Sequence, residues 1–193
     1  MALTRELNEL VCRYDKYAEL HRSAAMRDLE RSVCGCAYGS AALRFKDTRF
    51  DALSHSDVLC CTPGKLGVLR SCRRIACVGA KMVFTVIALA PSLADSERRI
   101  AVTSGPTFVH SPDDCAVSLD QSGWCLQERT DLTAEFLQSM RTELAGMQAR
   151  ADALAKVLGA DELTERMRHR QATIAAVDAG LLRRELFVAR AGR

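Results

Sequence analysis

The sequence predicts an α+β protein in which an N-terminal helix precedes a mostly antiparallel sheet and a helical hairpin follows it. Three observations lead to this prediction. Apolar residues recur at helical spacing in residues 3 to 33, the most apolar run of the chain fills residues 80 to 90, and a heptad seam follows residue 131. The chain therefore divides into a flanking amphipathic helix (1 to 33), an antiparallel β domain (34 to 130) and a helical hairpin (131 to 193).

The predicted N-terminal helix rests on alternating steps of four and three between apolar residues. Leu3, Leu7, Leu10, Tyr14 and Tyr17 follow this spacing, which places them on one face of a helix. Acidic and basic residues balance one another over the same stretch, as they do on a solvated outer face. We expect one buried and one exposed face.

The apolar run at residues 80 to 90 predicts the central strand. Val83, Thr85, Val86 and Ile87 are β-branched and suit a pleated surface. Apolar residues at both odd and even positions indicate that both faces of the strand are buried. The run is too short to cross a bilayer, which takes about 20 apolar residues, and Pro91 ends it.

Turn residues divide the rest of the β domain into short segments. Pro63, Gly64, Gly105 and Pro106 are examples. Strands joined by such short links are mostly antiparallel, and a sheet of about five to seven strands is expected. The further predicted strands cover residues 41 to 45, 57 to 61, 66 to 70, 74 to 78, 99 to 103, 115 to 119 and 124 to 127.

The C-terminal segment predicts two helices. The first carries a seam at steps of three and four, and Gly159 fits the position just after its end. Asp161 then caps a second helix that ends near Phe187 and Val188, so the pair forms an antiparallel hairpin. The seam residues are Leu137, Met140, Leu144, Met147, Ala151, Leu154 and Leu158.

Composition and charge narrow the class of protein. The net charge of +3 and the pI near 8.4 show only a small excess of basic residues. This excess is too small to indicate a polyanionic partner by itself. No signal or transit peptide is visible at the start of the sequence. Nine cysteines, an odd number, favour reduced thiols over a disulfide framework. These features predict an intracellular protein, cytoplasmic or nuclear, with no membrane partner.

The cysteines offer the strongest metal arrangement, with Cys34 and Cys36 facing Cys60 and Cys61. Tetrahedral zinc takes four such ligands, but the usual C-x-x-C pair is absent from the chain. Small buried thiols between strands are the simpler interpretation, so no metal site is predicted. Whether these four cysteines meet in space stays open.

No local catalytic motif is present. Cys72 is followed by two arginines that would lower a thiol pKa, but nothing ties it to a base such as His110. The phosphate-loop, nucleophile-elbow, H-E-x-x-H and G-x-G-x-x-G patterns are absent, and no cofactor is predicted. An enzyme whose site assembles from distant residues is retained only as a third possibility.

The leading functional prediction is a non-enzymatic subunit of a multiprotein assembly. Its helical hairpin would dock a protein partner or a second copy of the chain in a coiled-coil manner. The predicted anchors are Leu137, Met140, Leu144, Met147, Leu154 and Leu158.

The alternative prediction is a nucleic-acid-binding module. If their segments are neighbours, five arginines would form a phosphate-facing patch, although aromatic residues for stacking bases are few. The predicted patch consists of Arg70, Arg73, Arg74, Arg98 and Arg99.

Overall fold

The computed structural model describes residue 43 and residues 45 to 192, and these form one four-stranded sheet with six helices. The sheet order is β1-β2-β4-β3. β1 and β2 are parallel, whereas β4 runs antiparallel to both of its neighbours. The strands are β1 (Phe50–Ser56), β2 (Ala76–Leu89), β3 (Trp124–Asp131) and β4 (Leu182–Ala191).

Helices separate most of these strands along the chain. A 3-10 turn (Leu59–Cys61) and α1 connect β1 to β2, two helices connect β2 to β3, and three connect β3 to β4. The helices are α1 (Lys65–Ile75), α2 (Asp95–Ser104), α3 (Cys115–Asp120), α4 (Thr133–Ala149), α5 (Ala151–Leu158) and α6 (Ala160–Asp178).

The helices cover both faces of the sheet. Ile87 lies opposite Arg184 in the β2–β4 register, so these two side chains share one face, on which the Arg184 guanidinium lies 5.2 Å from the Phe136 ring of α4. Glu185 points to the other face, where it shares Arg129 with Asp114, the N-cap of α3. The prediction of a sheet domain followed by a separate hairpin is therefore wrong, because the sheet is mixed and helices are layered on both sides.

The central strand was predicted correctly. β2 contains most of the apolar run, and residues 82 to 87 are buried on both faces, as the absence of alternation predicted. Its first part bulges against β1, since Phe50 pairs with Ala76 whereas Ala52 pairs with Lys81. Gly79, within that irregular stretch, has φ +77°, a conformation that favours glycine.

The predicted strand at residues 66 to 70 is wrong, because it lies in α1. Leu69, Cys72 and Ile75 are buried at three-residue spacing, which is the period of one helix face. The segment 74 to 78, also predicted as a strand, contains the end of α1 and the start of β2. The Trp124 indole N–H donates to the Leu69 carbonyl at 3.1 Å and fixes α1 against β3.

Three further predicted strands are helical turns. Residues 57 to 61 include the 3-10 turn, and residues 99 to 103 and 115 to 119 lie in α2 and α3. Capping hydrogen bonds at the start of α2 and of α3 explain why the last two segments are helical. The Glu97 carboxylate accepts from the Ala94 N–H, and the Asp114 carboxylate accepts from the Ala116 N–H, both at 2.9 Å.

The predicted hairpin is wrong in its second half, where β4 replaces the end of a helix. Residues 182 to 191 are mostly buried and pair with β2 and β3 on either side. The seam is also interrupted, because Arg150 leaves helical geometry (φ −116°, ψ 20°) between α4 and α5. The structure therefore does not form the predicted coiled-coil hairpin.

Two predicted elements lie outside the described residues. They are the N-terminal helix (3 to 33) and most of the strand at 41 to 45, of which only residues 43 and 45 are described, neither in a strand. None of the helices in the described part is both long and apolar enough for a transmembrane span.

Candidate functional site at the carboxyl end of the parallel strands

A buried ion pair marks the point where β1 ends. Arg184 of β4 is only 6% exposed, and its Nη2 lies 2.8 Å from Oδ2 of Asp57, the residue after β1. Arg184 also donates to Ser56 Oγ at 3.0 Å and to Thr85 Oγ1 at 3.3 Å. Three elements, β1, β2 and β4, thus contribute to one polar cluster.

The backbone at Asp57 is held in a left-handed conformation, with φ +53°. Its N–H donates to the Thr85 carbonyl at 2.9 Å, and its Oδ1 accepts from Thr85 Oγ1 at 3.1 Å. Aspartate tolerates this region better than most residues, and such positions concentrate at functional sites. The contacts orient the carboxylate toward Arg184.

A second charge network lies on the opposite face of the sheet. Arg129 Nε is 2.9 Å from Glu185 Oε1, and Arg129 Nη2 is 2.9 Å from Asp114 Oδ2. Burial opposes ionisation of Asp114, but the Ala116 N–H and the Arg129 guanidinium hold the pKa of this carboxyl below its usual range. The bond to Glu185 raises the pKa of Arg129, so its guanidinium stays charged.

Thiols and a lysine surround the turn that follows Asp57. The buried Cys60 thiol donates to the Asp57 carbonyl at 3.1 Å, whereas the next residue, Cys61, is exposed. Lys65 donates to the carbonyls of Phe108 and His110. Interaction with the adjacent Cys60 lowers the pKa of Cys61 to about 7, against burial and Asp57, and the Lys65 charge assists.

His55 is a buried ring without hydrogen bonds. Both ring nitrogens are buried and have no hydrogen-bond partner among the described residues, although the residue as a whole is partly exposed. The ring stacks on Phe84 at 4.7 Å, which in turn stacks on Phe187 at 5.2 Å. Burial lowers the pKa of His55 to about 4, so the ring is neutral at pH 7.

These groups meet at the edge where ligands bind in open α/β sheets. In such sheets the ligand lies outside the carboxyl ends of parallel strands. Here that edge follows β1 and β2 and carries the partly exposed Ser56 hydroxyl and Asp57 carboxylate, with Thr85 and Arg184 buried behind them and the exposed Cys61 thiol in the following turn. The partly exposed Asp57 carboxylate and Ser56 hydroxyl can accept hydrogen bonds from a polar ligand. Within residues 45 to 192 no group of three or more potential metal ligands is found.

The structure places only part of the predicted cysteine cluster. Cys34 and Cys36 lie outside the described residues, while Cys60 and Cys61 are neighbours in the 3-10 turn. Cys72, the cysteine followed by two arginines, is buried in α1. The question of whether the first pair meets the second stays open.

The predicted arginine patch is divided between two helices. Arg70, Arg73 and Arg74 lie in α1, and Arg98 and Arg99 lie in α2. Arg73 donates to the Gly123 carbonyl at 3.1 Å and to Gly192, and Arg74 bonds to Asp47. Two of the five therefore have structural partners, and nucleic-acid binding by this set stays a prediction.

The predicted hairpin anchors have unequal surroundings. Met140 is 1% exposed, and Leu137 packs beside the same core. The rest are partly exposed, and α5 has no fully buried residue. A role for this set in partner binding stays a prediction; the remaining anchors are Leu144 and Met147 in α4 and Leu154 and Leu158 in α5.

Sequence reasoning missed Asp57 and Arg184. The available signal was Arg184 followed by Glu185 beside the apolar run Leu186 to Ala189, because adjacent buried charges of opposite sign require partners on both faces of a strand. Their partners, Asp57 and Arg129, are distant in sequence, so no local motif forms.

Comparison with known proteins identifies the fold. The chain matches a protein from Galdieria sulphuraria described as a sarcosine dimethylglycine methyltransferase, with a TM-score of 0.72 and 16% identity over 80% of this chain. It also matches phosphoethanolamine N-methyltransferase 2 from Haemonchus contortus (TM-score 0.66, 11% identity, 78% of this chain) and the [4+2]-cyclase SpnF (0.60, 16%, 79%). The sequence matches no protein-family model and no curated protein.

The shared fold is Rossmann-like, and the matched structures that have it include methyltransferases. The chain spans 57%, 36% and 53% of the lengths of the three proteins just named, in that order. The prediction of a non-enzymatic, coiled-coil interaction subunit is contradicted by these comparisons, because the solved structures just named are two methyltransferases and a cyclase.

Proposed function

We propose that this chain contributes the acceptor-binding side of an S-adenosylmethionine-dependent methyltransferase. The observation that carries the proposal is the match, over about four fifths of the chain, to a methyltransferase with a TM-score of 0.72. The buried Asp57–Arg184 cluster at the carboxyl end of β1 supports it, since this is the ligand-binding edge of such a sheet. SpnF has a similar fold and a different named reaction, so a direct assay is needed.

The described residues do not fit the whole of the methyl donor. In Rossmann-type sheets a glycine-rich turn after a strand lets the backbone approach the nucleotide. The loop after β1 has no glycine before Gly64, and residues 90 to 94 after β2 have none. The donor's nucleoside would thus need groups beyond those of residues 45 to 192.

The chain's own residues suit an acceptor with a polar group. Arg184 fixes Asp57 through the 2.8 Å ion pair, and Ser56 and Thr85 supply hydroxyls beside it. A carboxylate held in this way accepts hydrogen bonds from an acceptor's N–H or O–H and orients the group that receives the methyl. The other function of the cluster is structural, because it joins three strands.

The test is transfer of an isotopically labelled methyl group from S-adenosylmethionine to a panel of small amines and hydroxyl compounds, using the full chain. We expect labelled product and an increase in Tm with S-adenosylhomocysteine, with transfer reduced at least tenfold in Ser56→Ala, a variant that keeps the ion pair. A Tm increase without transfer would reject the transferase role. No Tm increase and no transfer would reject the proposal as a whole.

A further inference from the structure

The α2–α3 loop (residues 105 to 114) connects helices that lie on opposite faces of the sheet. α2, before the loop, packs against α6, whose Thr173 hydroxyl donates to the Ser104 carbonyl at 2.6 Å. α6 in turn packs against α4, the helix next to Arg184 on one face of the sheet. α3, after the loop, lies on the other face, beside Glu185. The loop therefore passes over an edge of the sheet.

The contacts of the loop show that it crosses the carboxyl edge of β1 and β2. The Phe108 N–H donates to the Cys60 carbonyl at 3.0 Å, and Cys60 lies in the 3-10 turn that follows β1. At the start of the loop, a Cβ added to Gly105 would lie 3.4 Å from Leu182. Leu182 pairs with Leu89, the last residue of β2. This is the edge at which the candidate site lies.

Lys65 holds the middle of the loop. It is the first residue of α1, and its Nζ donates to the Phe108 carbonyl and, at 2.7 Å, to the His110 carbonyl. Hydrogen bonds from a charged donor are stronger than those from a neutral one. A single half-buried side chain thus fixes two peptide groups of the loop to the start of α1.

The ends of the loop are held more firmly than its middle. Gly105 is buried and its N–H donates to the Ala101 carbonyl at 2.9 Å, whereas Asp114 caps α3 and pairs with Arg129. Of residues 106 to 113, Val109 alone is buried. Segments with few buried apolar contacts open locally at a low free energy. The middle of the loop can therefore move away while both ends stay in place.

We propose that the α2–α3 loop is a gate across the candidate site and that Lys65 is the positioning residue that keeps it closed. When Lys65 releases the two carbonyls, residues 106 to 113 move away from Cys60 and open the edge beside Ser56 and Asp57. A polar acceptor enters there, and the returning loop separates it from bulk water. Acceptor entry rests on the proposed function, whereas opening of the loop does not.

The first test is hydrogen exchange of the Phe108 amide, followed by NMR in the full chain at urea concentrations below the unfolding transition. We expect its exchange rate to be nearly independent of urea, because a local opening exposes little surface. Amides of β2 and β4 should exchange faster as urea is added, because they exchange through global unfolding. If the Phe108 amide shows the same urea dependence as β2, the loop does not open by itself and the inference is overturned.

The same measurement tests Lys65. Lys65→Met removes both hydrogen bonds, and we expect the Phe108 amide to exchange about tenfold faster, with β2 and β4 unchanged. Lys65→Arg keeps a charged donor and should restore most of the protection. Lys156→Met, which changes an exposed lysine of α5, is the matched control. An unchanged Phe108 rate in Lys65→Met, or an equal increase in β2 and β4, would overturn the role of Lys65.

Transfer kinetics distinguish a gate from a purely structural contact. In the labelled-methyl assay, Lys65→Met should raise the acceptor KM about threefold or more and change kcat by less than about twofold, because the closed loop is populated less. Equal decreases in kcat and kcat/KM would contradict the gate. Absence of transfer in the wild type would reject the proposed function, and the exchange measurements would still decide whether the loop opens.

Discussion

Asp57 and Arg184 lie 127 positions apart in the sequence but share one buried hydrogen-bond cluster. A guanidinium with 6% exposure is stable there only because a carboxylate and two hydroxyls take up its donors. At the scale of single residues, the site and the stability of the sheet therefore depend on the same contacts.

Asp57→Asn is expected to lower the free energy of unfolding by about 3 kcal/mol, because it leaves a buried guanidinium without its counter-charge. Adding Arg184→Met should recover most of this loss, since the buried charge is then removed as well. Urea denaturation of the single and double variants measures both effects.

The matched control is Asp178→Asn. Asp178 pairs with Arg141 at 2.9 Å, nearly the same separation, but both side chains are about half exposed. We expect a change of at most about 0.5 kcal/mol. Equal losses at Asp57 and Asp178 would contradict the burial argument.

His55 gives a pH dependence of defined sign. Its pKa is lowered from 6.5 to about 4 in the folded protein, so between these values the unfolded chain binds more protons. The free energy of unfolding that depends on a neutral His55 is therefore fully present above pH 6.5. It decreases as the pH falls toward 4, by about 3 kcal/mol in total. Urea unfolding at several pH values measures this slope.

His55→Phe should flatten that slope while keeping the stack on Phe84. The variant also removes two buried nitrogens that lack partners in the described structure, so stability at pH 7 should be equal to or higher than that of the wild type. A slope that stays the same in the variant would assign the pH dependence to other groups.

At the scale of elements, α4 and α5 differ in what they bury. Met140 of α4 is 1% exposed, whereas Val157 of α5 is 79% exposed. We expect Met140→Ala to cost about 2 to 4 kcal/mol and Val157→Ala less than about 0.5 kcal/mol. Chemical denaturation of the two variants measures the difference. Similar costs would mean that α5 is packed against something beyond the described contacts.

Local patterns predicted the elements whose burial follows from their own composition. The β-branched residues of β2 predict a strand whatever its neighbours in the sheet are. The spacing of Leu137 and Met140 likewise predicts a helix. α1 was mistaken for a strand because Gly64 and the basic residues concealed the three-residue spacing of Leu69 and Cys72. The helical spacing is present in the sequence, but the adjacent Pro63 and Gly64 are residues typical of a turn between strands.

β4 and the candidate site depend on long-range pairing. In the sequence alone, Arg184 and Glu185 are typical of the exposed face of a helix. In the folded protein they are buried, and Asp57 and Arg129 neutralise them on opposite faces of the sheet. No window around residue 184 contains these partners, so neither the strand nor the ion pair follows from local sequence. Only the tertiary arrangement supplies that information.

For the molecule as a whole, protection against hydrogen exchange should decrease from the centre of the sheet outward. Amides of β2 and β4 pair along nine consecutive register positions from Lys81 to Leu89, and the enclosed side chains are mostly buried. α5 contains no buried residue. We expect the slowest exchange in β2 and β4 and the fastest helical exchange in α5. Mass-spectrometric exchange measures this order, and a protected α5 would contradict it.

The position of β4 in the sheet has a consequence for synthesis of the chain. β4 is the last described strand in sequence, but it lies between β2 and β3, and β3 pairs with it alone in this part of the chain. During synthesis on a ribosome, roughly a hundred further residues must be added after β2 before β4 is complete. At about 5 to 20 residues per second, one edge of β2 therefore stays unpaired for several seconds. During that interval the nascent chain presents an open strand that a chaperone would bind.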